Sequence, residues 1–187
     1  TLLEWYRAGC DYVQLMEDCE DLFLYLSGAM GIGNRLTHRN RPIDLSKPWE
    51  RLSVKEAFDR YGSASLERAL EQDRFEEILA LEIEPRLGNR KPTLLYDYPL
   101  AFASLARVSK DNPAFAERFE IYIGGLELAN GFSELTDAEE RARMLEAIRQ
   151  ICDGDERGEV EFVAARRDGS RLPVLMTLRF APLAMMS

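Results

Sequence analysis

The sequence predicts an α+β fold in which an antiparallel sheet is flanked by helices. The strongest observation is FAERFEIYIGGLELANGFSEL, residues 115–135, where two strand-like runs meet at Gly124 and Gly125 as in a β-hairpin. Elsewhere, apolar residues recur every three or four positions after Asp11, as in an amphipathic helix, and Ser-x-x-Glu and Thr-x-x-Glu capping boxes indicate further helix starts. The two patterns come from different parts of the chain, which favours an α+β fold.

The N-terminal part predicts a strand followed by a helix. TLLEWY, residues 1–6, is rich in β-forming residues, and alternation places Glu4 and Tyr6 on one face. From Asp11 the apolar residues change to a helical period, which ends near Gly31. A long amphipathic helix is therefore expected to follow the first strand.

The middle of the chain predicts a helical region between two extended segments. Residues 34–49 indicate a polar hairpin or loop, because two prolines interrupt regular structure. Ser53 and Glu56 form a capping box that predicts a helix, and residues 65–87 predict one or two more. PTLLYDYP, residues 92–99, then predicts a short apolar strand.

The C-terminal part predicts a helix and a second hairpin. Thr136 with Glu139 forms another capping box, which would open a helix running to about Gln150. Residues 158–181 alternate as strands do, with a turn expected at Asp168–Gly169.

Composition limits the classes of function. The chain has 33 acidic and 24 basic residues, and a net charge of −9 disfavours nonspecific nucleic-acid binding. Its three cysteines lack CxxC spacing and there is a single histidine, which favours a reduced, cytoplasmic compartment over a zinc site. No apolar run approaches the roughly 18 residues of a membrane span, so no membrane association is expected. The opening without Met predicts a fragment of a longer protein.

Carboxylates inside the apolar hairpin point to a binding site. With a two-residue turn at Gly124–Gly125, Glu120 and Glu127 would be diagonal neighbours on one face, about 7–8 Å apart at the backbone. Such a pair can converge on a hard cation, and Mg²⁺ is the obvious candidate. An edge hairpin whose glutamates face water is the alternative, since surface carboxylates are common. The expected cross-strand pairs are 123 with 126, 122 with 127, and 120 with 129.

Strict alternation would separate the remaining polar residues from this pair. It places Asn130 and Glu134 on the face opposite Glu127. A β-bulge would be needed to bring all of them together, and Gly131 is the expected position.

Three stretches carry a family resemblance: TLLEWYRAGCDY, LLYDYPLAFASLAR and ERFEIYIGGLELANGFSELTDAEE. Together they resemble the catalytic core of class II lysyl-tRNA synthetases, and still more closely the truncated paralogue that attaches lysine to elongation factor P. The resemblance covers residues 1–150 and implies a partial class II synthetase core with its antiparallel sheet. Residues 151–187 depart from the family pattern and are expected to form a divergent hairpin and tail.

The resemblance implies an ATP-dependent ligase that activates lysine or β-lysine as an adenylate and transfers it to elongation factor P. Glu120 and Glu127 match the family's Mg²⁺-binding acids, and a homodimer would be consistent with the family. No residue of this chain is identified as catalytic. Five residues are implied to bind the amino acid: Glu4, Tyr6, Asn130, Phe132 and Glu134.

Two other functions stay open at this point. The family's ATP-binding arginines, from its second and third signature motifs, are not found in the sequence, so a noncatalytic lysine-binding or interaction module is one alternative. A fragment of a lysyl-tRNA synthetase is the other. His38 lies among Arg35, Arg39 and Arg41, a cluster that suits either a solvated loop or contact with phosphate or an acidic surface.

Overall fold

The computed structural model describes residues 3–103, 105–138, 142, 157–165 and 171–179. The chain divides into two compact units. The first comprises Thr1–Tyr98 and Glu117–Ser133, and the second comprises Pro99–Ala116 and Glu134–Ser187. The fold is α+β, as predicted, and most residues of the larger sheet belong to the first unit.

The predicted N-terminal helix is confirmed as α1, Tyr12–Ala29. It begins with a capping box in which the Asp11 carboxylate accepts from the Val13 N–H, while the Gln14 side chain accepts from the Asp11 N–H. These bonds satisfy amide groups that the first helical turn leaves without partners. The side chains of Met16 and Cys19 are buried on its inner face.

The predicted strand at residues 1–6 is wrong over its described part. Residues 3–7 have no regular structure and are exposed. A strand needs a neighbouring backbone to pair with, and in the described sheets no strand pairs with this segment. β-propensity alone therefore did not decide its conformation.

The polar segment after α1 forms a hairpin of β1, Arg35–His38, and β2, Arg41–Asp44. Its two-residue turn consists of Arg39 and Asn40, both with positive φ. This confirms the hairpin alternative for residues 34–49.

The helical region at residues 54–86 consists of short pieces rather than continuous helices. Helix α2 begins after Ser53, whose capping box with Glu56 is confirmed. A π-helical turn and a 3₁₀ turn continue from the last helix to Arg86 and interrupt the α-helical hydrogen bonding. The helices are α2, Val54–Tyr61, α3, Leu66–Glu71, and α4, Phe75–Ile78, and the two turns are Leu79–Ile83 and Glu84–Arg86.

Four strands form the larger sheet in the order β3–β4–β5–β6. β4 confirms the strand predicted at residues 92–99, whereas β3 was not predicted and pairs with β4 in parallel. β5 and β6 are the two antiparallel strands of the predicted hairpin. The strands are β3, Glu50–Ser53, β4, Thr93–Pro99, β5, Phe115–Ile123, and β6, Leu126–Phe132.

One face of β5 contributes to a hydrophobic core cluster. Phe119, Ile121 and Ile123 alternate along this strand and pack in a buried cluster with Met16 and Cys19 of α1. Packing against α1 fixes which side chains of β5 point to the core. The intervening residues of β5 therefore face the other side of the sheet.

A two-stranded antiparallel hairpin in the second unit consists of β7, Arg157–Ala165, and β8, Arg171–Arg179. Its register is symmetric about residue 168, which confirms the predicted hairpin, although the predicted turn itself lies outside the described residues. The helix predicted from Thr136 to about Gln150 lies largely outside them as well, with Ala138 and Ala142 helical. Among the described residues, none of the helices combines the length and apolar character that a bilayer span requires.

Candidate active site

The β5–β6 hairpin closes through a tight glycine turn. Gly124 and Gly125 have φ values of 65° and 77°, the sign that a type I′ turn requires at both central positions. Ile123 pairs with Leu126 across the turn. The predicted turn position and its first cross-strand pair are therefore confirmed.

The register changes shortly after the turn. Tyr122 pairs with Glu127 as predicted, but Glu120 pairs with Asn130 rather than with its predicted neighbour one residue earlier. The extra residue on β6 is Leu128, so the hairpin contains a β-bulge at this point. The predicted pairing of residues 120 and 129 is wrong for this reason.

The bulge decides which side chains share a face. Without it, alternation would place Glu127 and Asn130 on opposite faces of β6. With it, Glu127 and Asn130 both lie across from the polar face of β5. The predicted bulge at Gly131 is wrong, since the register shift lies nearer the turn. Glycine is favoured at position 131 for a different reason, because a Cβ there would lie 2.6 Å from the Phe119 ring.

Glu120 is the most strongly bound carboxylate on this face. It is only 6% exposed and accepts hydrogen bonds from the hydroxyls of Tyr98 at 2.5 Å and Tyr122 at 2.6 Å. The Arg118 guanidinium donates to its other oxygen at 2.6 Å and lies over the Tyr98 ring. These three donors hold the carboxylate in one orientation, because both of its oxygens accept hydrogen bonds.

The two tyrosines remain hydrogen-bond donors at ordinary pH. Burial first, and then the charge of Glu120, raise the pKa of Tyr98 and of Tyr122 far above the ordinary value for tyrosine. Their hydroxyls therefore stay protonated beside the carboxylate.

Two further carboxylates crowd this face. Burial raises the pKa of Glu84, with a further rise from the charge of Glu120, although the Tyr122 hydroxyl opposes this at 3.2 Å. Glu127 is an exposed residue, but its carboxyl group is partly buried. This burial, followed by the charge of Glu120, raises the pKa of Glu127, and hydrogen bonding to Asn130 lowers it. The face therefore carries excess negative charge, which a cation would relieve.

The donor atoms suit one kind of metal ion. Within the described residues, no group of three or more His, Cys, Asp or Glu side chains is arranged to hold a metal. Glu120 and Glu127 offer hard carboxylate oxygens from one face, and Mg²⁺ is commonly held by one or two carboxylates together with substrate phosphates. The pair thus fits Mg²⁺ that arrives with a nucleotide, rather than an ion held by protein ligands alone.

The remaining predicted site residues occupy different surroundings. Glu4 and Tyr6 are exposed and hydrogen-bonded to each other, the Tyr6 hydroxyl donating at 2.7 Å. Phe132 is half-buried and pairs with Arg118. Glu134 belongs to the second unit, where it is half-buried and forms an antiparallel bridge with Ala106. The substrate-binding roles of these residues stay predictions.

Sequence reasoning missed the residues that support Glu120. Tyr98 was expected only as part of the apolar strand at residues 92–99, and Arg118 and Tyr122 were not singled out. A signal existed in β5, where Arg118, Glu120 and Tyr122 alternate with apolar residues and so share a face. Glu84 had no such signal, because it comes from a helical region far away in the sequence.

Comparison with known proteins identifies the family. A family model described as tRNA synthetases class II (D, K and N) matches residues 1–170. The chain belongs to the class II tRNA synthetase family. The segment of this chain that the family model matches includes the whole β5–β6 hairpin and extends beyond Gln150. The division into a core at 1–150 and a divergent tail at 151–187 stays a prediction.

Curated members of the class II synthetase family provide more specific similarities. The chain is 34% identical over 176 residues to the lysine–tRNA ligase of Thermoanaerobacter pseudethanolicus, covering 83% of this chain and 35% of that protein. It is 35% identical over 181 residues to the lysine–tRNA ligase of Legionella pneumophila strain Corby, covering 86% and 36%. For the enzyme of Campylobacter jejuni subsp. doylei the identity is 34% over 178 residues, covering 83% and 35%. The chain therefore spans about a third of the length of the curated relatives it matches.

Proposed function

We propose that the protein is part of an ATP-dependent ligase that activates lysine as lysyl-adenylate. The observation that carries this proposal is the bulged hairpin, which brings Glu120, Glu127 and Asn130 to one face in a chain similar to lysine–tRNA ligases. An excess of carboxylates on that face suits a cationic amino acid and a metal-bound nucleotide. The same excess would be unfavourable if the face bound nothing.

Glu120 and Glu127 are the proposed Mg²⁺ ligands. When bound with ATP, Mg²⁺ supplies positive charge that offsets the charge on the phosphate oxygens. The chain's own residues prepare this site: Tyr98, Tyr122 and Arg118 orient Glu120 before any ligand arrives. Asn130 lies on the same face and lowers the pKa of the Glu127 carboxyl group by hydrogen bonding, which favours the charged form that a metal ion needs.

The proposed amino-acid site uses the remaining polar residues. Glu4 and Glu134 supply negative charge that would favour the two ammonium groups of lysine or β-lysine. The substrate-binding residues proposed are Glu4, Tyr6, Asn130, Phe132 and Glu134.

Two acceptors are proposed for the activated lysyl group. Elongation factor P is the first, and it is favoured by EWYRAGCDYVQLMED and YDYPLAFASLAR, which resemble its lysine ligase. The second is tRNA, which is favoured by the names of the relatives. A cytoplasmic location and a homodimer belong to the same proposal.

Lysine-dependent exchange of pyrophosphate into ATP tests the activation step. We expect exchange above background only when lysine is present, and Glu127→Gln should lower it by about 10- to 100-fold, as loss of a metal-supporting group commonly does. Glu76→Gln, at an exposed position of α4, is the matched control and should retain exchange. Folded protein that binds lysine without exchange would instead indicate the noncatalytic lysine-binding module.

Transfer of labelled lysine separates the acceptors. Label should appear on elongation factor P if the first acceptor is right and on tRNA if the second is. Exchange without transfer to either would refute the acceptor proposal and leave lysine activation standing.

A further inference from the structure

A basic cleft lies beside the turn of the acidic hairpin. It has a volume of about 410 Å³ and lies between the β1–β2 hairpin and the Gly124–Gly125 turn. Its polar wall consists of His38, Arg39, Arg41 and Asn89, and among the described residues that line it none is acidic. The volume falls within the range of about 300–1,000 Å³ that small-molecule sites occupy.

The charges in this cleft are not compensated. Arg39 and Arg41 are exposed, and across the residues that the structure describes neither guanidinium forms an ion pair. Elsewhere in the same unit, Arg60 is paired with Glu50 and Arg74 with Glu77. The chain has 33 acidic residues against 24 basic ones, so a positively charged cleft differs in sign from the net charge of the protein.

The cleft also contains a polar atom without a partner. Within the described residues, the Nε2 atom of His38 is buried and makes no hydrogen bond. Such an atom is unfavourable unless something supplies the missing bond. The imidazole is held close to the turn, since a Cβ at Gly124 would lie 2.7 Å from its Cδ2 atom.

We propose that this cleft binds the phosphate group of a phosphate-bearing ligand. Two guanidinium groups match phosphate oxygens in charge and geometry, and the unpartnered ring nitrogen of His38 can add a further hydrogen bond. Ile43, Pro85 and Leu126 provide apolar walls that would contact the organic part of such a ligand. The site differs in charge from the Glu120–Glu127 face, which attracts phosphates only through a metal ion.

Calorimetric titration with inorganic pyrophosphate tests the site in the absence of metal. EDTA removes divalent ions, so the carboxylate face repels the probe, and sodium chloride keeps the ionic strength constant. We expect binding to the wild-type protein and an affinity at least about tenfold lower in the double variant Arg39→Gln/Arg41→Gln, because two charge-assisted hydrogen-bonding groups are lost. Arg35→Gln is the matched control, since Arg35 is exposed on the same hairpin but does not line the cleft.

Two further probes, AMP and a short single-stranded RNA, identify the source of the phosphate. A loss of AMP binding in the double variant, with no RNA binding by the wild type, assigns the cleft to a small phosphate ester. A loss of RNA binding in the same variant assigns it to a nucleic-acid backbone. The proposal is overturned if no probe binds, or if the double variant binds every probe as tightly as Arg35→Gln does. Lysine-dependent exchange is a separate readout, so failure here leaves the activation proposal untouched.

Discussion

The β1–β2 and β5–β6 hairpins close through the same kind of two-residue turn but use different residues. Arg39 and Asn40 adopt φ values of 47° and 61° in the first, where most side chains are exposed. The second uses Gly124 and Gly125, and there a Cβ on Gly124 would collide with the His38 ring. Space around the turn, more than the turn's conformation, therefore decides where glycine is required.

The same two hairpins differ in how their charges are compensated. In β5–β6, the Glu120 carboxylate is surrounded by three donors, while Glu84 and Glu127 crowd it. In β1–β2, Arg39 and Arg41 line a cleft in which the structure describes no acidic residue. The uncompensated charge on each hairpin, negative on one and positive on the other, therefore indicates the ligand that each would favour.

The largest expected effect comes from filling the space beneath the glycine turn. The Gly124 and Gly125 N–H groups donate at 2.9 Å to the carbonyls of Gly88 and Leu87, so residue 88 anchors the acidic hairpin. A Cβ on Gly88 would lie 2.3 Å from the Tyr122 carbonyl oxygen, at a φ of +68°. Gly88→Val should therefore lower the free energy of unfolding by about 3 kcal/mol or more, measured by urea denaturation.

Gly31→Ala is the control for that measurement. Gly31 has a similar φ of +70°, but nothing lies within 4 Å of its added Cβ. We expect a loss of only about 1–2 kcal/mol, the cost of the left-handed conformation alone. Equal losses for the two variants would mean that the close contact beneath the acidic hairpin is unimportant.

A smaller effect should follow from removing one donor to Glu120. The Tyr122 hydroxyl donates to Glu120 at 2.6 Å and lies 3.2 Å from Glu84. Tyr122→Phe should destabilise the protein by about 1.5 kcal/mol, a value typical of hydrogen bonds to charged groups. Tyr25→Phe, at a position that is 74% exposed, should change thermal stability very little. A Tyr122→Phe protein as stable as Tyr25→Phe would argue against a constrained Glu120.

The smallest effect concerns the pH dependence of stability. Because the pKa of Glu84 is raised in the folded protein, the folded state keeps a proton that the unfolded chain has already released. The stability that protonated Glu84 contributes is therefore lost as pH rises from the pKa of Glu84 in the unfolded chain through its raised pKa in the folded protein. Glu84→Gln should gain thermal stability relative to the wild type as pH increases from about 4 to about 8.

Glu77 provides a comparison of opposite sign. Its hydrogen bond with Arg74 lowers the pKa of Glu77, so the stabilising contribution is present at neutral pH and is lost as pH falls. Glu77→Gln should therefore match the wild type best at low pH, although the effect is small because the pair is exposed. Parallel pH profiles for the two variants would contradict the crowding of carboxylates around Glu120.

The sequence was sufficient for features that depend on local chemistry. The glycine turn, the Ser53–Glu56 capping box and the helical period after Asp11 all follow from neighbouring residues, and the structure confirms them. The bulge at Leu128 could not be predicted, because it depends on how β6 fits against β5 and the core below. The place of Glu84 in the site could not be predicted either, because only tertiary packing brings it close to Tyr122.

Binding of Mn²⁺, a spectroscopic substitute for Mg²⁺, in the presence of ATP tests the acidic face most directly. Electron paramagnetic resonance reports free Mn²⁺ and so gives the affinity of the protein for the metal–nucleotide complex. If Glu120 and Glu127 hold the metal, wild type and Glu76→Gln should bind alike, and Glu127→Gln should bind about tenfold more weakly or worse. Equal affinity in all three proteins would show that the carboxylates of the β5–β6 hairpin serve another purpose.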